Sequence, residues 1–160
     1  MNTKDIILLK VESHEHLEIA KELFLEYAHS LEFSLGFQDF GEEIAHMPGH
    51  YGPPGGSILL AFVNDKPAGC VALRRLEEGI CEMKRLYVRP EYRERGIGKA
   101  LSEKIIEEAG KIGYVKIRLD TLRSMKEANS LYRGQGFREI KPYRYNPFEQ
   151  AVFMEKDLRK

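Results

Sequence analysis

The stretch that decides the fold covers residues 86–100 and reads LYVRPEYRERGIGKA. An apolar strand ends at Val88, a short basic turn follows, and a helix begins that carries Gly96 and Gly98 near its start. The first turn of a helix has backbone N–H groups without partners at the positive end of the helix dipole. Glycines leave these groups open to a ligand, and three basic side chains add positive charge: Arg93, Arg95 and Lys99. The pattern predicts a site for a phosphate or pyrophosphate, and the alternative is a helix start whose glycines only pack tightly.

Two better-known phosphate motifs do not fit this stretch. A dinucleotide-binding fingerprint requires a third glycine at the position that Leu101 occupies. A P-loop requires glycine at the position of Arg93 and Ser or Thr at that of Ala100. The sequence therefore disfavours a nucleotide-binding module.

Patterns on both sides of the turn predict one domain, residues 1–160, with a mixed α/β fold. Apolar runs bounded by turn residues predict seven strands, at residues 6–11, 57–63, 68–76, 80–88, 114–120, 137–141 and 150–158. Helical spacing predicts helices from a Ser13 N-cap to about residue 30, at about residues 38–47, and from Gly96 to about residue 112 with Gly113 as its stop. A capping box at residues 124–127 predicts a fourth helix that ends at Gly134 or Gly136. Residues 47–57, with four glycines and three prolines, are predicted to form a loop without regular structure.

The composition excludes several classes of protein. The chain has 160 residues, its 25 Lys and Arg balance its 25 Asp and Glu, and 42% of its residues are hydrophobic. This balance is typical of a globular domain, and the lack of a basic excess argues against a nucleic-acid or membrane-surface partner. No apolar run approaches the length of a membrane span, and the first residues do not resemble a secretory signal. A cytoplasmic protein is therefore expected.

The sequence gives no reason to expect a metal site or a disulfide. Cys70 and Cys81 lie in apolar stretches and lack metal-ligand spacing, so buried free thiols are predicted. His46 and His50 have a spacing that suits a metal on a helix, but the proline and glycine between them break a helix.

Two motifs together resemble the GNAT superfamily of acyl-CoA-dependent N-acyltransferases. Residues 93–98, RERGIG, match the pyrophosphate signature of that family, and residues 128–137, ANSLYRGQGF, match its helix that closes on Gly-Phe. The resemblance covers residues 57–158, with both motifs in the family's order. It implies a central, mostly antiparallel sheet of about seven strands, with one splayed parallel pair and helices on both faces.

The resemblance also implies that acetyl-CoA lies between the strands at 80–88 and 114–120. The backbone of the first strand's end would pair with the pantetheine amides, the amides of residues 95–100 would hold the pyrophosphate, and Asn129 would hydrogen-bond the pantetheine arm. The expected cofactor-binding residues are Leu86, Tyr87, Val88, Arg93, Arg95, Gly96, Ile97, Gly98, Lys99, Ala100 and Asn129.

The implied chemistry is attack of a neutral amine on a thioester, which requires a base, a donor to the carbonyl oxygen and an acid for the sulfur. Glu82 resembles the general base of one branch of the family, and strand alternation predicts that it shares a face with Leu86. The alternative for Glu82 is a surface carboxylate paired with Lys84 or Arg85. Tyr132 is the expected acid, with a core position as its alternative, and the N–H of Leu86 or Val88 is the expected oxyanion donor.

The function predicted from these residues is transfer of an acetyl group from acetyl-CoA to a primary amine, with a small molecule as the acceptor. The alternatives are a protein or peptide amine as the acceptor and a non-catalytic acyl-CoA-binding or regulatory module. Tyr143, Arg144 and Tyr145 either bind an acceptor with a carboxylate or a ring, or are ordinary surface residues. The oligomeric state stays open, with a homodimer as the arrangement that is common in the family.

Overall fold

A computed structural model of the chain describes residues 5–31 and 40–159. Within these residues, the strands are β1 (Ile6–Lys10), β2 (Ser57–Val63), β3 (Lys66–Glu77), β4 (Ile80–Val88), β5 (Lys116–Leu122), β6 (Arg138–Ile140) and β7 (Ala151–Asp157). The helices are α1 (His14–Ser30), α2 (Phe40–Ala45), α3 (Ile97–Ile112) and α4 (Lys126–Gly134), and short 3-10 turns cover Gly49–Tyr51 and Pro90–Tyr92. The predicted mixed α/β fold and its seven strands are confirmed.

All the strands join one sheet in the order β1-β2-β3-β4-β5-β7-β6. Each described neighbouring pair is antiparallel except β4 and β5, which are parallel. The parallel ladder is short: it runs from the Ile80–Lys116 pair to the Glu82–Arg118 pair. Beyond these pairs the carboxyl ends of the two strands diverge, as the resemblance implied. A gap between strands at this end of a sheet is a common place for a ligand.

Helices cover both faces of the sheet. On one face, α3 and α4 pack against the larger core cluster, which includes Ile97, Leu101, Ile105, Tyr132, Met83, Leu119 and Met154. On the other face, α1 and α2 pack against a second cluster, which includes Leu23, Phe24, Phe40, Leu60, Cys70 and Tyr87. The amphipathic spacing of α1 and α3 in the sequence explains why each helix buries one side.

A β-bulge interrupts β4 at Arg85. The ladder between β3 and β4 pairs Cys70 with Tyr87 but Ala72 with Lys84, so β4 carries one extra residue in between. Arg85 takes up this residue with a positive φ of 61°. Such a bulge reverses the side-chain alternation of the strand beyond it.

The bulge overturns the prediction that Glu82 and Leu86 share a face of the sheet. Met83 lies in the α3 and α4 cluster before the bulge, and Leu86 and Val88 pack against the same cluster after it. Glu82 therefore faces α1 and α2, because neighbouring residues of a strand point to opposite faces. The prediction was wrong because strict alternation assumes a strand without an inserted residue.

The predicted capping box at residues 124–127 was also wrong. The strand β5 extends to Leu122, and the N–H of Met125 donates to the Leu122 carbonyl across a tight turn that contains Ser124. The N-cap of α4 is Met125, and it makes no side-chain capping bond. By contrast, Ser13 caps α1 as predicted, since its side chain accepts from the N–H of His16 at 3.2 Å.

Other element predictions need smaller corrections. The stretch at 47–57 contains a 3-10 turn whose Tyr51 is buried, and it is therefore not wholly irregular. The second helix begins at Phe40, and its predicted start at residue 38 lies outside the described residues. The strand predicted at 114–120 begins at Lys116, because the N–H of Tyr114 still bonds the last turn of α3.

Candidate active site

A cavity of about 170 Å³ fills the gap where β4 and β5 diverge, and we call it the acyl slot. Its walls come from residues 83–86 of β4, residues 119–122 of β5, and side chains of α1 and α4. The structure thus brings two of the predicted site residues together in one cavity, since both Leu86 and Tyr132 line the slot. Because Tyr27 of α1 also lines it, the slot connects the two faces of the sheet.

The predicted phosphate-binding turn leads into α3. Gly96 is the N-cap of this helix in a left-handed conformation, with φ of 80°, and a Cβ there would meet no atom within 4 Å. The next three residues, Ile97, Gly98 and Lys99, are the first of the helix, so their N–H groups lack acceptors within it. The N–H of Ala100, however, donates to the Gly96 carbonyl at 3.0 Å. The predicted contribution of Ala100 is therefore corrected, because its amide is already used by the helix.

Two arginines of the turn pack against neighbouring rings. Arg93 donates from Nε to the Val88 carbonyl at 3.0 Å, and its guanidinium lies 6.0 Å from the ring centre of Tyr87. The guanidinium of Arg95 lies 5.6 Å from the ring centre of Tyr92. The contacts of Arg93 fix the basic turn to the end of β4, and the contact of Arg95 lies within the turn itself.

Asn129 joins α4 to the end of β5. Its Nδ2 donates to the Leu122 carbonyl at 3.0 Å, while its Oδ1 is buried without a hydrogen-bond partner. A buried acceptor without a partner is costly unless a ligand supplies a donor. The predicted bond to the pantetheine arm stays a prediction, and Oδ1 is the atom left to make it.

Tyr132 has features of both predicted roles, the acid that protonates the sulfur and a residue of the core. It is 8% exposed and packs edge-on against Phe137, with ring centres 5.8 Å apart, so it belongs to the core. It also lines the acyl slot. Burial raises the pKa of its phenol, which keeps the proton on the oxygen at physiological pH. Its role as the acid stays a prediction.

Glu82 is fully buried and surrounded by donors. Its Oε1 accepts from Arg74 at 3.0 Å, its Oε2 accepts from Tyr143 at 2.6 Å, and Arg144 forms an ion pair with it. The surface position expected in the alternative for Glu82 is thus wrong, since the side chain is fully buried. Of its expected partners, Lys84 forms a long ion pair with it at 4.0 Å, and Arg74 and Arg144 are the closer partners. Its role as the base stays a prediction.

The segment after β6 supplies two of these partners. The Tyr143 ring lies between two guanidinium groups, 5.1 Å from that of Arg118 and 4.9 Å from that of Arg144. Burial, followed by the charge of Arg74, lowers the pKa of Arg144 to about 10. Arg144 Nε is buried without a hydrogen-bond partner, whereas Tyr145 is 83% exposed. The surface description therefore fits Tyr145 alone.

A second cavity of about 280 Å³, which we call the acceptor cavity, adjoins the acyl slot on the α1 and α2 side. Its lining residues are Glu43, Arg74, Lys84, Arg85, Asp120, Arg144, Tyr145 and Asn146. Four of them also line the acyl slot: Lys84, Arg85, Asp120 and Asn146. Glu82 lines neither cavity and lies behind Arg74 and Arg144. Two molecules bound in these cavities would meet at the open end of β4 and β5.

The sequence interpretation did not assign Asp120 and Lys84 to the site. The Asp120 side chain is 13% exposed, and its Oδ1 lies 4.0 Å from Lys84 Nζ. Burial lowers the pKa of Lys84 to about 8. Asp120 ends the predicted strand next to β4, and a carboxylate at the carboxyl end of a parallel strand is a signal that was available. Lys84 stands in a buried strand, where an ionisable residue needs a partner or a function.

Arg85 reaches the acceptor cavity because the bulge directs it toward α2. Its Nε and Nη2 donate to the two carboxylate oxygens of Glu43, at 3.0 and 2.9 Å. Its guanidinium also lies 5.2 Å from the ring centre of Phe40. This bidentate pair fixes α2 as one wall of the cavity.

In this structure the parallel strands β4 and β5 diverge, and the start of α3 beside them presents N–H groups that have no acceptor within the helix. A second cavity opens at the same place. This arrangement is that of an acyl-CoA-dependent acyltransferase, as the sequence resemblance implied. The chain belongs to the Acetyltransferase (GNAT) family, whose sequence model matches residues 15–137. An uncharacterized N-acetyltransferase of Schizosaccharomyces pombe is 38% identical over 162 aligned residues, which cover 100% of this chain and 99% of that protein. The protein is therefore an acyltransferase.

Solved structures share the fold over nearly the whole chain. A GNAT-family acetyltransferase of Staphylococcus aureus superposes with a TM-score of 0.78 at 24% identity, covering 96% of this chain and 99% of that one. The PaiA N-acetyltransferase of Thermoplasma acidophilum, solved in complex with coenzyme A, superposes with a TM-score of 0.71 at 23% identity, covering 95% and 98%. At this identity the superpositions show that the fold is shared. Among the described residues, no helix has the length and apolar character needed to cross a membrane.

Proposed function

We propose that this acyltransferase moves an acetyl group from acetyl-CoA to the primary amine of a small molecule, with both substrates bound at once. The observation that carries this proposal is the junction of the acyl slot and the acceptor cavity, which share Lys84, Arg85, Asp120 and Asn146. A shared opening lets the amine attack the thioester directly, without an acyl-enzyme intermediate.

The donor would lie across the open end of β4 and β5. Its pyrophosphate would accept hydrogen bonds from the N–H groups of Ile97, Gly98 and Lys99, with the positive charges of Arg93 and Arg95 nearby. The pantetheine arm would follow the end of β4 into the acyl slot, where Asn129 Oδ1 can accept from one of its amides. The coenzyme A complex of the Thermoplasma acidophilum protein supports a CoA ligand for this fold.

The acceptor ammonium must lose a proton before its nitrogen can attack. We assign this step to Asp120, directly or through a water, because Asp120 lines both cavities whereas the oxygens of Glu82 already hold three donors. Glu82 would then act as a positioning residue for Arg74 and Arg144.

The remaining steps balance without any further reactant. The nitrogen lone pair forms the N–C bond, and a backbone N–H of Leu86 or Val88 stabilises the carbonyl oxygen as it becomes negative. The C–S bond then breaks, and the thiolate takes up the proton that Tyr132 supplies. The second proton of the nitrogen passes to the Tyr132 oxygen, directly or through a water, and restores the phenol, while the first proton leaves Asp120 for solvent. The products are an N-acetylated amine and free CoA.

The size of the acceptor cavity favours a small acceptor over a protein. Its volume of about 280 Å³ is close to the lower end of the range for small-molecule pockets, and residues 144–146 form part of its wall. A peptide amine would have to enter past this segment.

Release of free thiol from acetyl-CoA tests the proposal directly. The purified chain should release thiol in the presence of some member of a panel of amino acids, polyamines and aminoglycosides, and lysine peptides should be poorer acceptors. Mass spectrometry of the product should show the added acetyl group on nitrogen. Thiol release that requires a peptide would replace the small acceptor with a protein, and CoA binding without turnover on any amine would indicate a non-catalytic module.

A further inference from the structure

We propose that the acceptor cavity binds an amino acid, and that an amino acid with two carboxylates fits it best. The inference rests on the proposed function and names the class of acceptor. The amine would lie against Asp120 at the acyl slot, and the carboxylates would lie against the arginines at the other end of the cavity.

The charges of the cavity favour an anionic ligand. Four cationic side chains line it, Arg74, Lys84, Arg85 and Arg144, against the two carboxylates of Glu43 and Asp120. Even when the buried Glu82 behind the wall is included, the cluster retains one positive charge. An amino acid with two carboxylates and one ammonium carries a single negative charge and would balance it. A polyamine or an aminoglycoside would add positive charge to a cluster that already has an excess.

Arg144 is the group most ready to accept a carboxylate. Its Nη2 is paired with Glu82, while its Nε is buried and has no hydrogen-bond partner. A partly exposed guanidinium with a buried, unpaired N–H gains from a carboxylate, which provides both charge and a hydrogen-bond acceptor. Burial already disfavours the charged form of Arg144, so a bound anion would offset a cost that the free protein carries.

The distribution of residues between the two cavities sets the orientation of the ligand. Asp120 lines both cavities, so an ammonium attracted to it would stand next to the thioester. Arg74 and Arg144 line the acceptor cavity but not the acyl slot, so carboxylates paired with them would lie away from the reacting carbon. An amine without a carboxylate could reach Asp120 but would leave this arginine end unpaired.

Matched acceptors test the inference. Each compound would be titrated calorimetrically into the CoA-saturated enzyme, and its acetylation would be followed by thiol release. The panel pairs aspartate with asparagine and with β-alanine, and glycine with glycinamide, and it includes putrescine as a cationic amine. We expect aspartate to bind at least tenfold more tightly than asparagine, and glycine more tightly than glycinamide.

Two variants and a control connect this preference to the cavity. Arg144→Gln removes the charge, and Arg144→Lys keeps a charge for Glu82 but removes the planar guanidinium, so it guards against loss of folding. Both should reduce the preference for carboxylates. Arg123→Gln is the control, since Arg123 is 60% exposed, pairs with Glu139 and lines neither cavity.

The outcomes separate the inference from the proposed function. Equal binding of an amino acid and its amide, or a preference that survives in both Arg144 variants, would overturn the inference even if acetylation proceeds. Selective binding of carboxylates without thiol release would support the inference and overturn the proposed function. Preferred acetylation of putrescine would leave the proposed function intact and remove the amino acid as its acceptor.

Discussion

Asp120 and Glu82 are carboxylates on neighbouring strands, and they differ in whether their oxygens can still accept a proton from a substrate. Glu82 accepts from Arg74 and Tyr143 and pairs with Arg144, whereas Asp120 faces both cavities. We expect Asp120→Asn to lower turnover about a hundredfold near neutral pH, with a smaller loss at high pH. The reason is that the free amine becomes abundant without a base as the pH approaches the pKa of the acceptor.

The isosteric Glu82→Gln variant is the matched comparison for this pH profile. As a positioning residue, Glu82 should show a loss of similar size at every pH, with a raised KM for the acceptor. If Glu82 is the base, as the sequence predicted, Glu82→Gln should show the pH-dependent loss of turnover. The loss of turnover in Asp120→Asn should then be the same at every pH. Full pH–rate profiles of both variants therefore decide which carboxylate takes the proton.

The ring of Tyr132 packs in the core, and its hydroxyl is the group that we propose donates a proton to the thiolate. Tyr132→Phe keeps the ring and its contact with Phe137, so unfolding free energy and CoA affinity should change little. We expect the single-turnover rate to fall about a hundredfold, as for loss of a positioned proton donor. Single turnover is the right measurement, because slow product release can hide a loss in chemistry. Tyr114→Phe is the control, since its buried phenol donates to the Gly55 carbonyl and neither residue lines the slot. An equal loss in both variants would argue against the acid role.

Lys84 makes the stability of the protein depend on pH in a defined direction. Burial lowers its pKa to about 8, whereas a lysine in the unfolded chain titrates near 10.4. Between these values the unfolded state binds more protons, so this lysine makes the unfolding free energy rise with pH. Relative to wild type, Lys84→Met should be more stable near neutral pH and lose about 2 kcal/mol of that advantage between about pH 8 and about pH 10. Urea denaturation of both proteins across this range measures the change, and a constant difference would show that Lys84 titrates normally.

At the scale of elements, α3 has a left-handed glycine at each end, and only the first faces the proposed pyrophosphate. Gly96 has φ of 80° and Gly113 has φ of 115°, and an added Cβ would meet no atom within 4 Å at either position. Valine should cost about 1–2 kcal/mol of unfolding free energy or more at both, because branched residues rarely adopt this conformation. We expect Gly96→Val to lose its thermal stabilisation by CoA and Gly113→Val to retain it. If CoA raises the melting temperature of Gly96→Val as much as that of wild type, the pyrophosphate site lies elsewhere.

The elements were predictable from the sequence to the extent that local patterns determine them. The bounds of β2 and β4 agree with the prediction to the residue, because apolar runs and turn residues limit them on both sides. The bulge at Arg85 was not predictable, since an extra residue in a strand becomes visible only against the register of its partner. The wall formed by Lys84, Arg85 and Asp120 has the same origin: it depends on how β4, with its bulge, lies beside β5.

At the scale of the whole molecule, the sheet consists of two parts, β1 to β4 and β5 to β7, which are joined by the short parallel ladder of β4 and β5. On the α3 and α4 face, one core cluster contains residues of both parts, such as Met83 and Leu119. On the α1 and α2 face, the apolar cluster around Leu23 and Phe24 contains no described residue of β5 to β7, and Phe153 of β7 is buried against Tyr143 instead. There the Glu82 cluster makes the connection, because Arg74 and Glu82 belong to the first part whereas Tyr143 and Arg144 follow β6 in the second.

This arrangement predicts that two buried carboxylates contribute differently to cooperative folding. Glu82→Ala should lower the unfolding free energy by about 3 kcal/mol, because it removes a fully buried carboxylate and leaves the partly exposed Arg74 and Arg144 without their partner. Glu155→Ala is the matched control: Glu155 is also buried, but its close partner Arg118 lies in the same part of the sheet.

If the Glu82 cluster joins the two parts, Glu82→Ala should also broaden the urea transition and lower its apparent m value, since the parts then unfold less cooperatively. Glu155→Ala should shift the midpoint and keep the m value of wild type. An unchanged m value in Glu82→Ala would mean that the apolar core on the α3 and α4 face is sufficient to hold the two parts together.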